Sequence, residues 1–485
     1  MRQNGCRVRA IEVSTVYMRT RIPFQYGIAT LTRLPHIFLR VTLEGSDGKV
    51  HQGIAAEGLL PKWFEKNPDS TSAEDLRRMW TVIRNAARTA LEFPPMPDSF
   101  NIWRELYQEL ERQEIQNNFP PLLWHFGASL VERALVHAVC RRHAVPFHKA
   151  LRDGLLGFDI TAIHPEIPGR FTGKALPRSP LSSVHARHTV GLGDALTADD
   201  IDTAVNDGLP ETLEDDIARY NLRYFKIKVR GDPTADMERL RRIVSLLRRM
   251  NVADYRFSLD GNEQFSSVDS FRAFWDHLQE DKILSPALKH LLFVEQPFSR
   301  SVALTRELGR DLLRWETRPP IIIDESDGAL EDVQTAIDLG YQGSSYKNCK
   351  GVFKGIANRV LLAYRSDHPE NQQLIMSGED LANVGPVALL QDLAVMSALG
   401  ISHVERNGHH FFRGLSMFSR ELQSHIVAMH PDLYAETPAG EAILRIHNGR
   451  ISMNSINASS FGTELIPEEA PYVDIADWEC PTETA

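Results

Sequence analysis

Two lysines one residue apart, Lys226 and Lys228, lie in the run Tyr224-Phe225-Lys226-Ile227-Lys228-Val229. In a strand, alternation places Phe225, Ile227 and Val229 on one face and both lysines on the other. The apolar face must meet a hydrophobic layer, so the amines point inward, where they need anions nearby. Two lysines snorkelling from an edge strand are the plainer alternative. The same alternation puts Ser258, Asp260 and Asn262 on one face of the next run, while Glu295 and Asp324 end the two after it. Three carboxylates brought together repel one another and demand a cation. Hard oxygen donors in that number favour Mg²⁺, with positions left for water and a substrate oxygen. The competing reading is that each acid caps the helix that follows it.

Lys347, in Ser344-Ser345-Tyr346-Lys347, ends a later strand-like run, and with Lys228 it can flank a small molecule held on the ion. An ammonium near another cation and a metal has its pKa lowered, so a neutral lysine is expected to act as base near neutral pH. Lys226 is placed to supply that positive charge and to contact a substrate carboxylate. A proton beside a carboxylate is hardly acidic until the developing enediolate is stabilised, which Mg²⁺ beside the carboxylate oxygens does. The expected chemistry is removal of the α-proton of a small carboxylic acid. Racemisation or epimerisation, cycloisomerisation and dehydration all share that first step.

The elements that must hold these groups follow a repeat. From about Ala186 to Phe418 the chain alternates a short apolar strand, a polar residue at its end and an amphipathic helix, which is the pattern of consecutive βα units. Strands are expected at His185–Val190, Tyr224–Val229, Arg256–Leu259, Leu291–Glu295, Ile321–Asp324, Ser344–Lys347, Leu374–Ser377 and Ser402–Glu405. Lys228, Asp260, Glu295, Asp324, Lys347, Glu379 and Glu405 follow one another at intervals of 32, 35, 29, 23, 32 and 26 residues. A (β/α)₈ barrel needs roughly 31 per unit. The expected fold is therefore α/β, a (β/α)₈ TIM-type barrel over residues 151–420. An α+β domain over 1–150 precedes it and a C-terminal segment, 421–485, packs back on that domain.

The motifs resemble the enolase superfamily, and within it the muconate-lactonising-enzyme-like subgroup of the mandelate racemase/muconate lactonising enzyme family. They are Lys226-Ile227-Lys228, the Ser-Leu-Asp-Gly-Asn run around Asp260, Phe-Val-Glu-Gln-Pro around Glu295, Ile-Ile-Ile-Asp-Glu-Ser around Asp324 and Ser-Tyr-Lys-Asn-Cys-Lys-Gly around Lys347. The resemblance implies that Lys228 and Lys347 form an acid/base pair and that Asp260, Glu295 and Asp324 hold Mg²⁺. It also makes the first domain a capping domain, with specificity loops at Pro23–Thr32 and Ala55–Phe64. Tyr26, Lys62 and Trp63 are candidates there to bind substrate, against the alternative of packed aromatics and a surface lysine. Asn262, Glu379, Glu405 and His409 are further candidates at the barrel mouth, where Glu379 could equally cap a helix and neither His409 nor His410 has a settled role. The chain departs from the pattern at Gly351-Val352-Phe353, where a second glycine is usual. Glu405-Arg406-Asn407 replaces the paired aspartates of dipeptide epimerases.

Composition narrows the rest. The net charge of −10, from 54 basic and 64 acidic side chains among 485 residues, argues against a nucleic-acid surface. Arg239 to Arg249 reads as the solvated face of a helix carrying Leu240, Val244 and Leu247 on its other side. The cysteines are scattered without a C-x-x-C pair, which fits a reducing compartment. Neither a secretory signal nor a membrane-spanning run is expected, so the protein reads as cytoplasmic, and as a homo-oligomer. Two rivals remain: a Schiff-base aldolase-type lyase using a barrel lysine as nucleophile, and a non-catalytic descendant that binds a metabolite.

Overall fold

The structure, a computed structural model, describes residues 5–26, 29–367 and 373–482. The chain opens as an antiparallel sheet in which β1 (Arg7–Tyr26) pairs with β2 (Ala29–Glu44), and β3 (Val50–Gly58) pairs with β2. Alternating Ile11 and Val13 on β1 and Leu39 and Val41 on β2 are buried, as one covered sheet face requires. The helices Ser72–Glu92, Ser99–Gln116 and Pro121–His143 follow. The first begins at a capping box, with Thr71 Oγ1 accepting from Glu74 N and the Glu74 carboxylate accepting from Thr71 N. The third is buried from Leu122 to Cys140 on every side, which its largely apolar sequence permits. Its buried charges are paired, Arg133 with Glu57 and Glu132 with backbone N–H groups of the barrel.

Eight parallel strands then form a ring: β4 (Ser183–Val190), β5 (Tyr224–Lys228), β6 (Arg256–Asp260), β7 (Leu291–Glu295), β8 (Ile321–Ile322), β9 (Gly343–Tyr346), β10 (Ile375–Gly378) and β11 (His403–Arg406). Each pairs with its sequence neighbour, and β11 returns to β4. The bridge between Ile323 and Ser344 joins β8 to β9. The expected fold class is the one observed, and the expected strands differ from these by only a residue or two at their ends. Helix Pro233–Arg249 buries Leu240, Val244 and Leu247 and turns Arg242, Arg248 and Arg249 to solvent.

The C-terminal segment divides its contacts. Strand β12 (Tyr434–Glu436) pairs with β13 (Ala442–Leu444), β14 (Arg450–Ser452) adds antiparallel to β4 of the barrel, and β15 (Val473–Asp474) pairs with β1. No described helix is long and apolar enough to cross a membrane.

One contact ties the first domain to the barrel beneath Lys347. Glu132, at the centre of helix Pro121–His143, accepts from the backbone N–H groups of Val352 and Phe353 and so caps the barrel helix Val352–Ser366. Gly351 makes this approach possible: its φ is +95°, and a Cβ there would stand 2.9 Å from the Glu132 carboxylate. The departure from a second glycine at Val352 thus falls one residue after the position where glycine is required.

Candidate active site

The ends of β5, β6, β8, β9, β10 and β11 surround a cavity lined by Lys226, Lys228, Asn262, Glu325, Lys347, Asp380 and Glu405, with Phe24, Trp63 and Lys66 of the first domain above. Lys228 ends the second barrel strand and Lys347 follows the sixth, four strands apart in a ring of eight, so their amines enter from opposite sides.

Lys226 lies deepest. Its Nζ is 2.9 Å from Asp260, 2.8 Å from Glu295, 2.8 Å from Glu379 and 3.1 Å from Glu405. Burial opposes its charge, but these carboxylates prevail and hold the amine well above the usual lysine range. Lys228 Nζ donates to Asp260 Oδ2 at 2.5 Å. Lys347 Nζ lies 2.5 Å from Asp324 Oδ2 and 4.2 Å from the centre of the Trp63 ring, a cation–π arrangement. Burial works against the Lys347 charge as well, yet Asp324 raises its pKa. The expectation of a lowered lysine pKa is therefore corrected for Lys347, where Asp324 outweighs the nearby Lys226; Lys226, expected to supply positive charge, is held cationic by its carboxylates.

The acids divide by partner. Asp324 is held by Lys347, by Lys350 at 2.9 Å and by the Ser345 hydroxyl, so burial is outweighed and its carboxyl falls well below the usual range. Glu379 accepts from Arg187, Ser377 and Lys226; burial would raise it, but Arg187 and Lys226 bring it down to about 2. Asp260, against burial, is likewise held at about 2 by Lys226 and Lys228. Glu295 goes the other way: burial, then Asp260 and Glu379 beside it, push its carboxyl well up. Its Oε2 is within 2.8 Å of Lys226 but takes no hydrogen bond. Asp260, Glu295 and Asp324 are buried oxygen donors of the kind a hard divalent cation takes, but among the described residues their carboxylate oxygens do not all come within 4.8 Å of one another. Asp260 and Glu295 meet at Lys226, and Asp324 turns to Lys347 and Lys350.

Among the remaining candidates, Asn262 lines the cavity and its backbone N–H donates to Asp260 Oδ1 at 2.9 Å. Glu405 accepts from Thr189 and from the backbone N–H of Asp380. Trp63 stands over Lys347, fixed there by Arg300, which donates to the carbonyls of Trp63 and Phe64 and pairs with Glu263. Lys62 borders the cavity, but its amine is engaged within the first domain, 2.7 Å from the Asn67 carbonyl and 2.7 Å from Asp75. Tyr26 pairs with Ala29 through its backbone, and its side chain lies outside the described residues. His409 lines a different cavity, beside Tyr220 and Arg406.

Sequence reasoning passed over Arg187, Lys350 and Lys66. Arg187 and Thr189 follow from alternation along β4, since both point into the barrel. Lys350 reaches Asp324 only because Asn348–Lys350 is a helical turn. Lys66, 2.6 Å from Glu263 and donating to the Asn262 carbonyl, comes from the first domain, where periodicity carries no signal.

No family model matches this chain, and no curated protein matches it. Its fold, however, recurs among solved structures. A mandelate racemase/muconate lactonizing protein from Herpetosiphon aurantiacus is 15% identical with a TM-score of 0.59, over 95% of this chain and 99% of that one. A muconate lactonizing enzyme from Pseudomonas fluorescens, complexed with muconolactone, is 16% identical with a TM-score of 0.60, over 95% and 97%. An enolase from Bradyrhizobium, complexed with magnesium and mandelic acid, is 14% identical with a TM-score of 0.56, over 93% and 94%. At these identities the likeness is one of fold: an α+β domain followed by a TIM-type (β/α)₈ barrel.

Proposed function

We propose that the protein is an enolase-superfamily isomerase or lyase that removes the proton α to the carboxylate of a small organic acid. The observation that carries this reading is the pair of amines, Lys228 and Lys347, facing one cavity from opposite strands above a bed of buried carboxylates. Asp260, Glu295 and Asp324 would hold Mg²⁺, which draws charge from the substrate carboxylate and makes the adjoining C–H acidic.

Each remaining role belongs to a side chain. Lys347, kept cationic by Asp324, has a proton to give at Nζ and a charge to set against the carbanion. Lys228, across the cavity, takes the proton at its own Nζ once neutral. Lys226 holds Asp260, Glu295, Glu379 and Glu405 in place. Trp63, Phe24 and Leu60 shut water out above and favour an acid with an apolar portion. A proton returned to the opposite face gives racemisation or epimerisation, whereas loss of a β-substituent gives cycloisomerisation or dehydration.

The test is hydrogen exchange at the α-carbon in D₂O, followed by NMR across a panel of carboxylic acids with Mg²⁺ present. At least one acid should incorporate deuterium, EDTA should stop it, and Lys228→Ala and Lys347→Ala should each slow it by about 10²–10⁴-fold. No exchange with any acid would favour a metabolite-binding protein. A product trapped on lysine by borohydride would instead favour Schiff-base chemistry.

A further inference from the structure

On the outer side of the first barrel strand lies a second group of metal-ligand type that the α-proton chemistry does not use. Along β4, Arg187 and Thr189 reach into the barrel to Glu379 and Glu405. His188, between them, must point outward. There it meets Asp216, from the helix Leu213–Tyr220, and His410, from the turn Gly408–Phe411 that follows β11. His188, Asp216 and His410 are 2%, 0% and 3% exposed. One ligand atom from each lies within 4.8 Å of the other two.

We propose that His188, Asp216 and His410 bind a divalent transition ion of the zinc class. His188 Nε2 is 3.7 Å from Asp216 Oδ2, close to the edge of about 3.3–3.6 Å in a tetrahedral site with metal–ligand bonds of about 2.0–2.2 Å, whereas His410 Nδ1, at 2.7 Å, must open by somewhat under about 1 Å to admit the ion. Asp216 Oδ2 faces His410 Nδ1 as a close pair, while Asp216 Oδ1 is buried and accepts no hydrogen bond, which leaves this carboxylate with capacity for a further partner. Two imidazoles with a carboxylate select a borderline ion such as Zn²⁺ over Mg²⁺.

The surroundings match. The other ring nitrogen of His188, Nδ1, lies 3.1 Å from His409 Nε2, the outer hydrogen bond that orients a ligating imidazole. The nearest guanidinium, Arg21, is engaged by Asp207 and donates to the His410 carbonyl; Asp194 adds a further negative charge. An ion here would pin β4, the Asp216 helix and the turn after β11 together. Phe411, next to His410, stacks on Phe24 at 4.2 Å, and Phe24 lines the mouth cavity. The site would therefore brace one wall of the mouth from behind, whatever reaction occurs there.

The experiment uses the full chain, stripped with chelator and titrated with Zn²⁺ in excess Mg²⁺. One equivalent of Zn²⁺ should bind, with X-ray absorption reporting two imidazole nitrogens and a carboxylate oxygen. Asp216→Asn and His410→Ala should abolish this equivalent, and His409→Ala should weaken it about 10–100-fold. Asp324→Asn should leave it unchanged. Failure of wild-type protein to bind Zn²⁺, a coordination sphere without two imidazoles, or an equivalent retained by both ligand variants would each overturn the proposal. The wild-type spectrum decides the matter if the variants do not fold.

Discussion

Lys226 is the most heavily paired charge in the cavity, with four carboxylates within 3.1 Å. Removing one partner of a buried pair costs about 3–5 kcal/mol, because the charge left behind has no water. Lys226→Met should therefore lower stability by at least that much in urea unfolding, whereas Lys228→Ala should lower it less, because its partner Asp260 keeps Lys226. Equal losses in the two variants would mean that Lys226 is no more structural than its neighbour. Asp260→Asn bears on the ion instead: Mg²⁺ affinity by calorimetry should fall at least tenfold, and an unchanged affinity would remove Asp260 from the ligand set. The inward placement of these side chains was readable before any coordinates, since alternation fixes which side chains on a strand face the barrel axis; that Lys226 gathers four carboxylates was not. What alternation cannot supply is the sign of a pKa shift. From sequence, Lys347 is expected to be lowered by a neighbouring cation and the metal, but Asp324 on the adjoining strand pairs with it and raises it.

Strand order and strand ends were legible because each βα unit repeats the same hydrophobic period, and the loops were not. Lys62 and His409 show why: both follow an element's end, where nothing in the sequence fixes which way the backbone turns. Lys62 turns back to Asp75, and His409 turns to His188 behind β4. Arg300 shows a loop residue with a definite task, joining the start of a barrel helix to the carbonyls of Trp63 and Phe64. Hydrogen bonds from a charged donor are worth roughly 1.5–3 kcal/mol each. Arg300→Ala should loosen Trp63 and raise KM for the exchanging acid about tenfold, with kcat changed less. A larger loss in kcat than in KM would place Trp63 in the chemical step rather than in closure.

Across the whole molecule, burial sets how stability depends on pH. Burial lowers His36, His125, His137, His403 and His409 from 6.5 to about 3. The unfolded chain binds those protons first, so this stability is lost as pH falls below 6.5. Burial raises Glu57 and Glu132 from 4.5 to about 8, and Asp380 from 3.8 to about 7. The unfolded chain releases those protons first, so their contribution is lost as pH rises. The two slopes oppose each other between about 4.5 and 6.5, but five histidines outweigh three acids, so Tm should still climb there, more gently than below 4.5, peak near pH 6.5 and fall above it. A Tm still climbing from pH 6.5 to 8 would contradict the burial of these acids. Glu132 carries a consequence of another kind. The amide groups it caps lie 220 residues further along the chain. At about 5–20 residues per second on the ribosome, the carboxyl waits on the order of tens of seconds for them to be synthesised. The first half of the protein is thus born with a vacancy at its heart, and the nascent chain cannot finish its earliest helix bundle until the sixth barrel strand has left the tunnel.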